Sequence, residues 1–259
     1  MRAIRVLKQV DLIACEDTRQ THKLLNHFGI EKPTVSYHEH NEASRAAQLI
    51  EKLTAGARIA IVSDAGTPGI NDPGFRLVSL AIDRGIPVVP IPGPAAFVSA
   101  LVASGLPVES FAFRGFLPPK SSARRRELED IRQSQQTEIF YEAPHRIRET
   151  LENIAAVLGP GRQVVVAREL TKIHEEFLRG TVGELLEVVK SRGDIKGEIV
   201  LLIAPASGEE AVSQELSIRD RVAQIMQEEK MDEKSALKRV AKERRISKSE
   251  AYRRFQTEK

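Results

Sequence analysis

The chain has 259 residues, 41% of them apolar, and a formal net charge of +3. That length and composition suffice for two compact cores plus a small appendage, and they exclude a disordered or fibrous protein. A single cysteine, Cys15, excludes a disulfide framework and a cysteine-based zinc cluster, so the expected compartment is the cytoplasm.

A helix opens at Arg2, and strand-length apolar runs follow at residues 10–15, 35–37, 59–62 and 88–91. A helical pattern at 43–53 separates the second run from the third. The longest uncharged stretch, 85–108, has the length of a membrane span, but prolines at 87, 90, 92, 94 and 107 break it into a strand, a turn and a core helix. The N-terminus offers no signal peptide, because Lys8 and Asp11 interrupt its apolar residues. A boundary is expected near Gly105-Leu106-Pro107. Beyond it come further runs at 111–113, 138–141, 164–167 and 198–203, and a helix at 147–158 with Ile147, Leu151, Ile154 and Leu158 on one stripe. Strands alternating with helices predict parallel-type α/β layers. The expected division is a first α/β domain at 1–106, a second at 107–205, a polar joint at 206–217 and a helical appendage at 218–259.

The appendage reads as three short helices. Ile218, Val222, Ile225 and Met226 form one apolar stripe, Leu237, Val240 and Ala241 a second, and Ala251, Tyr252 and Phe255 a third. Ser247 to Glu250 is a capping-box signature, and the tight turn at Arg245-Ile246 gives a helix-turn-helix-like pair with Lys248, Arg253 and Arg254 outside. From 234 to 259 there are ten Lys and Arg against three Glu, a net +7 that leaves −4 on the rest of the chain. A basic tail on a mildly acidic body points to a polyanion, and nucleic acid suits it better than a membrane because no continuous face is apolar.

Unusual residues gather at the strand ends. The stretch "AIVSDAGTPGINDPG", residues 60–74, runs from a strand into a loop with three glycines, two prolines and two aspartates. Such a loop beyond a strand's carboxyl end suggests close backbone approach to a ligand. Neither GxxxxGK[ST] nor GxGxxG occurs, which disfavours a P-loop nucleotidase and the common dinucleotide fingerprint. His38 and His40 lack further ligands nearby in sequence, so no metal is expected.

Taken in order, "SDAGTPGINDPG", "PIPGPAA", "FRGFLPPK", "FYEAPHR" and "RELTKIHEE" resemble the tetrapyrrole methylase superfamily, in its branch that methylates the ribose 2'-oxygen of a cytidine in 16S rRNA. The resemblance runs from residue 1 to about 205 and continues into the basic tail. It implies two α/β domains with S-adenosylmethionine in the cleft between them, a homodimer, and the small ribosomal subunit as partner. It also implies that Asp64, Ala65, Gly66, Thr67 and Pro68 line the cofactor opposite Ala95 and Ala96, with Tyr141 and Ala167 approaching from the second domain. A base should help remove the hydroxyl proton, and His38, Glu39, Asp17 and Glu169 are the candidates. Arg19, Lys120, Arg146 and Lys172 suit RNA phosphates. Family members open with a strand and an ATPIGNLxD-type loop ahead of the helix at Arg2; that strand is absent here, which predicts a gap in the first sheet. Two alternatives stand beside this reading: a corrin or porphyrin precursor methyltransferase, which has no need of the tail, and a non-catalytic nucleic-acid-binding regulator, which has no need of the second domain's loops.

Overall fold

In the computed structural model, which describes residues 1–206, 218–229, 231–243 and 247–257, the strands gather into two sheets. The first half runs α1 (Arg2–Gln9), β1 (Leu12–Cys15), α2 (Thr18–His27), β2 (Thr34–Ser36), α3 (Glu42–Thr54), β3 (Ile59–Val62), α4 (Phe75–Asp83) and α5 (Ala96–Ser104). Its three strands are parallel in the order β2-β1-β3. β1 is central, and Ile13, Ala14 and Cys15 are fully buried.

The strand expected at 88–91 does not form. Residues 87–95 carry no regular structure, and Val88 and Val89 are 43% and 60% exposed. Pro87, Pro90 and Pro92 each remove a ladder donor, and among the described residues no strand stands beyond β3 to pair with the segment.

The second half runs β4 (Phe111–Phe116), α6 (Ser121–Asp130), β5 (Thr137–Glu142), a 3-10 turn (Pro144–Arg146), α7 (Ile147–Leu158), β6 (Gln163–Arg168), β7 (Glu176–Thr181), α8 (Val182–Ser191) and β8 (Ile199–Ile203). The sheet order is β4-β5-β8-β6-β7, and only β4 and β5 are parallel. The expectation of parallel layers therefore holds for the first sheet and fails for the second. The added strand β7 explains much of the difference, because it folds back on β6 with Ala167 opposite Phe177. β8 then inserts between β5 and β6, antiparallel to both. All five of its residues are buried, as a strand covered on both faces requires.

Period-2 alternation divides the core of this sheet. Phe140, Val164, Val166 and Leu201 meet Ile147, Leu151, Ile154 and Leu158 of α7, all buried as the stripe predicted. On the opposite face Ile139, Val165, Ala167, Val200 and Leu202 meet Ala100 and Leu101 of α5. So α5, which precedes the expected boundary, is nonetheless seated on the second sheet. The Arg179 guanidinium of β7 fixes its C-terminal end by donating to the carbonyls of Ala103 (2.7 Å) and Ser104 (3.1 Å).

The appendage contains α9 (Ile218–Glu229), α10 (Glu233–Glu243) and α11 (Lys248–Thr257). Their stripes converge on Ile218, Val222, Ile225, Leu237, Val240, Ala241 and Ala251, with Met226 and Phe255 packed against them. Tyr252 departs from its expected stripe and is 54% exposed. Ser247 Oγ accepts from the Glu250 amide at 3.1 Å, as an N-cap should. The joint at 207–217 and the turn at Arg245-Ile246 lie outside the described residues. No helix among the described residues is long and apolar enough to cross a membrane.

Candidate functional site

The exits of β1 and β3 carry the charged and glycine-rich loops of the first sheet. β1 leads into Glu16 and Asp17, and Asp17 caps α2 by accepting from the Arg19 amide at 2.8 Å. The Arg19 side chain also binds this carboxylate and, with the amide, pulls its pKa down to about 2. β3 leads into the glycine-rich loop, which is tied down at several points. The Asp17 amide donates to Asp64 at 3.3 Å. Thr67 Oγ1 donates to the Pro94 carbonyl at 2.9 Å. At the foot of the loop, Glu42 of α3 accepts from both the Gly74 amide (3.2 Å) and the Tyr37 hydroxyl (2.9 Å). Gly66 has φ +72, which L side chains rarely adopt, and a Cβ built on it would point toward the Pro94 carbonyl at 3.9 Å. The two loops thus lie against each other, with Gly66 at their contact.

A row of aromatic rings runs from α5 along β4 and β5. Phe97, in the first turn of α5, stacks on Phe113 with centroids 4.5 Å apart and planes 18° from parallel. Phe113 meets the edge of Tyr141 at 4.9 Å, and Tyr141 meets Phe116 at 5.5 Å. Where the glycine-rich loop meets β4, the Asn71 side chain occupies the place of a Gly115 side chain: a Cβ on Gly115 would lie 2.6 Å from Asn71 Oδ1. Asn71 itself adopts φ 58, which asparagine tolerates better than most residues.

Carboxylates crowd this approach. Burial, then Asp72 and Asp64, push the Glu16 pKa up. Burial and the Asp64 charge likewise raise Asp72, against a hydrogen bond from Ser63. The Asp72 charge is also felt by Tyr141, whose own pKa rises chiefly through burial. A carboxyl that holds its proton more tightly when folded loses stability for the fold as pH rises through its raised pKa, and the loss is complete above it. Asp72→Asn should therefore raise the melting temperature near neutral pH and have no such effect below the ordinary carboxylate range. The gain should stay under about 1 kcal/mol because solvent screens a half-open group. Thermal melting across pH checks this; an equal shift at every pH would exclude the charge as its cause.

The residues expected from the sequence fall into distinct settings. Asp64, Ala65, Gly66 and Ala96 are exposed, Thr67, Pro68, Ala95 and Tyr141 are half-buried, and Ala167 is completely buried in the α5 contact. Nδ1 of His38 is buried without a hydrogen-bond partner, while its Nε2 lies 3.1 Å from Asn41 Nδ2. Glu39 is exposed. Glu169 is held by Lys172 (2.9 Å) and the Glu198 amide (2.9 Å), and the hydrogen bond from Lys172 does most to lower its pKa. Lys172 also pairs with Glu198 at 3.2 Å. Arg19 is committed to Asp17, and Arg253 and Arg254 both contact Glu250. Lys120 and Lys248 are exposed.

Arg146, expected to meet RNA phosphate, is held within the fold. Its guanidinium binds Glu142 and donates to the Leu117 carbonyl at 3.3 Å. Fully buried Arg124 supplies a companion anchor, ion-paired to Glu149 at 2.6 Å with the Pro118 and Pro119 carbonyls at 3.5 and 3.4 Å. Two guanidinium groups thus pin three successive carbonyls ahead of Lys120. The residues that sequence reasoning missed are Glu16, Asn71, Asp72, Phe97, Phe113 and Phe116. The strand-end motifs "SDAGTPGINDPG" and "FRGF" hinted at Asn71, Asp72, Phe113 and Phe116, but no residue pattern assigned them roles.

Comparison with known proteins gives a consistent picture. Residues 1–186 match the family described as tetrapyrrole (corrin/porphyrin) methylases. The ribosomal RNA small subunit methyltransferase I of Halalkalibacterium halodurans is 47% identical over 256 residues, covering 97% of this chain and 87% of that protein. The protein of the same name from Escherichia coli O157:H7 is 53% identical over 203 residues, 78% of this chain and 71% of its own length. Among solved structures, a cobalt-precorrin-4 methyltransferase of cobalamin biosynthesis superimposes with a TM-score of 0.55 at 14% identity, covering 79% of this chain and 87% of that one.

Proposed function

The chain belongs to the tetrapyrrole methylase family, and on that premise we propose that it transfers a methyl group from S-adenosylmethionine to the ribose 2'-oxygen of a cytidine in 16S rRNA. The match to the Halalkalibacterium protein carries the reading, because it covers 97% of this chain and so takes in most of the basic appendage as well as the cleft. A corrin or porphyrin methyltransferase would share the cleft but gains nothing from a net +7 at 234–259. A homodimer and a cytoplasmic setting belong to the same proposal.

The residues present suit the cofactor. The exposed loop 64–66, with Gly66 at positive φ, and the adjoining 92–96 loop offer backbone amides and small side chains to a flat heterocycle and a polar chain. In this assignment Asp64, Ala65, Gly66, Thr67, Pro68, Ala95 and Ala96 hold it and Tyr141 closes the far side. Ala167 supports Tyr141's sheet from within. When bound, the cofactor supplies an electrophilic methyl, so the protein's task is orientation and exclusion of water, worth about 7–11 kcal/mol of barrier when geometry is well held.

His38 is our choice for taking the hydroxyl proton, because no cation holds its half-buried ring and Glu16 lies within electrostatic reach. Asp17 and Glu169 are each committed to a cation, which makes them poor bases near neutral pH. Lys120 and the appendage, with Lys248, Arg253 and Arg254 on its exposed face, take RNA phosphates.

The test is transfer of labelled methyl from S-adenosylmethionine to purified small subunits, with the product nucleoside identified. Absence of labelled 2'-O-methylcytidine would refute the reading. Deleting residues 216–259 should leave cofactor affinity intact and weaken RNA binding. Each phosphate that the shortened chain no longer neutralises should flatten the slope of log affinity against log salt by about 0.7–0.9. Equal slopes would remove the appendage from the RNA interface.

A further inference from the structure

We propose that Phe116 is the face on which an unpaired nucleobase of the RNA stacks as its ribose enters the cleft; the proposal rests on the RNA-methylating reading above and adds the residue that grips the base. The local backbone is built to present this ring. Phe113 of β4 pairs with Ile139 of β5, but the next paired residue on β4 is Phe116, opposite Tyr141. Three residues on one strand thus span two on the other, a bulge, and Gly115 within it has φ +70. A regular strand would put Phe113 and Phe116 on opposite faces; the extra residue returns both to the same face, beside Tyr141. The result is a row of rings, Phe97, Phe113, Tyr141 and Phe116, sheltered at the α5 end and open at the other.

Phe116 is 55% exposed although Leu117, the next residue, is buried. The ring is also held from both sides along the chain. Upstream, Gly115 abuts Asn71 of the glycine-rich loop. Downstream, Arg146 and Arg124 fix the carbonyls of Leu117, Pro118 and Pro119. An apolar ring kept in solvent on a pinned backbone loses little freedom when a partner covers it. Exposed Lys120 lies four residues beyond, within the same pinned segment, where a phosphate of the stacked nucleotide finds a counter-charge. A stacked aromatic face with a nearby cation is the combination that grips single-stranded nucleic acid, at about 1–3 kcal/mol per base.

The experiment uses the full chain and its Phe116→Ala, Phe116→Leu and Phe116→Trp variants. Affinity for a fluorescent single-stranded cytidine-containing RNA, and for the same RNA with abasic sites, is read by anisotropy. Calorimetry with S-adenosylmethionine and thermal melting serve as controls. Alanine and leucine should weaken binding of the intact RNA by about 5- to 150-fold, tryptophan should retain it, and none should alter affinity for the abasic RNA or the cofactor. Leucine binding as well as tryptophan, or alanine as well as the wild type, would overturn the proposal. So would a variant that changes only the oligomeric state, which would assign the ring to a protein interface. These readings do not depend on turnover: failure of the wild type to methylate small subunits would refute the function proposed above, while the affinities would still decide the role of Phe116.

Discussion

Replacing Glu142 by alanine should cost about 3–5 kcal/mol of stability, a large share of the 5–15 kcal/mol that holds a typical domain together. Its side chain is completely buried and serves three donors: the Ala143 amide at 2.7 Å, the Thr150 hydroxyl at 2.5 Å and the Arg146 guanidinium at 2.8 Å. Removing the carboxylate leaves a mostly buried cation and a buried hydroxyl unpaired, which costs far more than the intact pair contributes. Because Arg146 also holds the Leu117 carbonyl, the damage extends into the segment that carries Phe116 and Lys120. Glu142→Gln keeps the shape without the charge and should fall between the two. Urea unfolding at fixed pH provides the comparison. An alanine variant within about 1 kcal/mol of the wild type would show that Arg146 is satisfied by solvent instead.

Gly66→Val should weaken S-adenosylmethionine binding by more than about 100-fold, near 3 kcal/mol, while the protein still unfolds cooperatively. Two effects act together. A β-branched residue at φ +72 is strained by about 1–2 kcal/mol, and its methyl groups extend beyond a Cβ that already touches the Pro94 carbonyl at 3.9 Å. Gly66→Ala carries the strain without the extra methyl groups and should lose less. Calorimetric titration of both variants measures the difference. Unchanged affinity in the valine variant would take the loop out of the cofactor site.

What was legible from sequence, and what was not, follows from where each signal resides. The α7 stripe could be read because helical periodicity is local, and β8 because a strand covered on both faces is continuously apolar. β7 was missed because Glu176, Arg179 and Gly180 break any apolar run; its identity comes from pairing with β6. At 88–91 the apolar run was real, but a strand also needs a neighbour and amide donors, and the prolines remove donors. The glycine-rich loop announced itself through residue types that few other backbones need. The tasks of Arg146 and Phe116 did not, since one depends on a carboxylate four residues earlier being buried and the other on a register shift between strands.

The seating of α5 on the second sheet has a mechanical consequence. The span from Ile86 to Ala95 joins α4, which packs with the first sheet's core, to a helix that belongs to the other sheet, and prolines at 87, 90, 92 and 94 fix φ at nearly every second residue of it. Such a span behaves as a strut rather than a tether. It sets the distance between the two halves in advance, and the Thr67 bond to Pro94 braces it partway along its length. Where the glycine-rich loop meets that strut the two already touch, so their relative position is fixed by the chain itself.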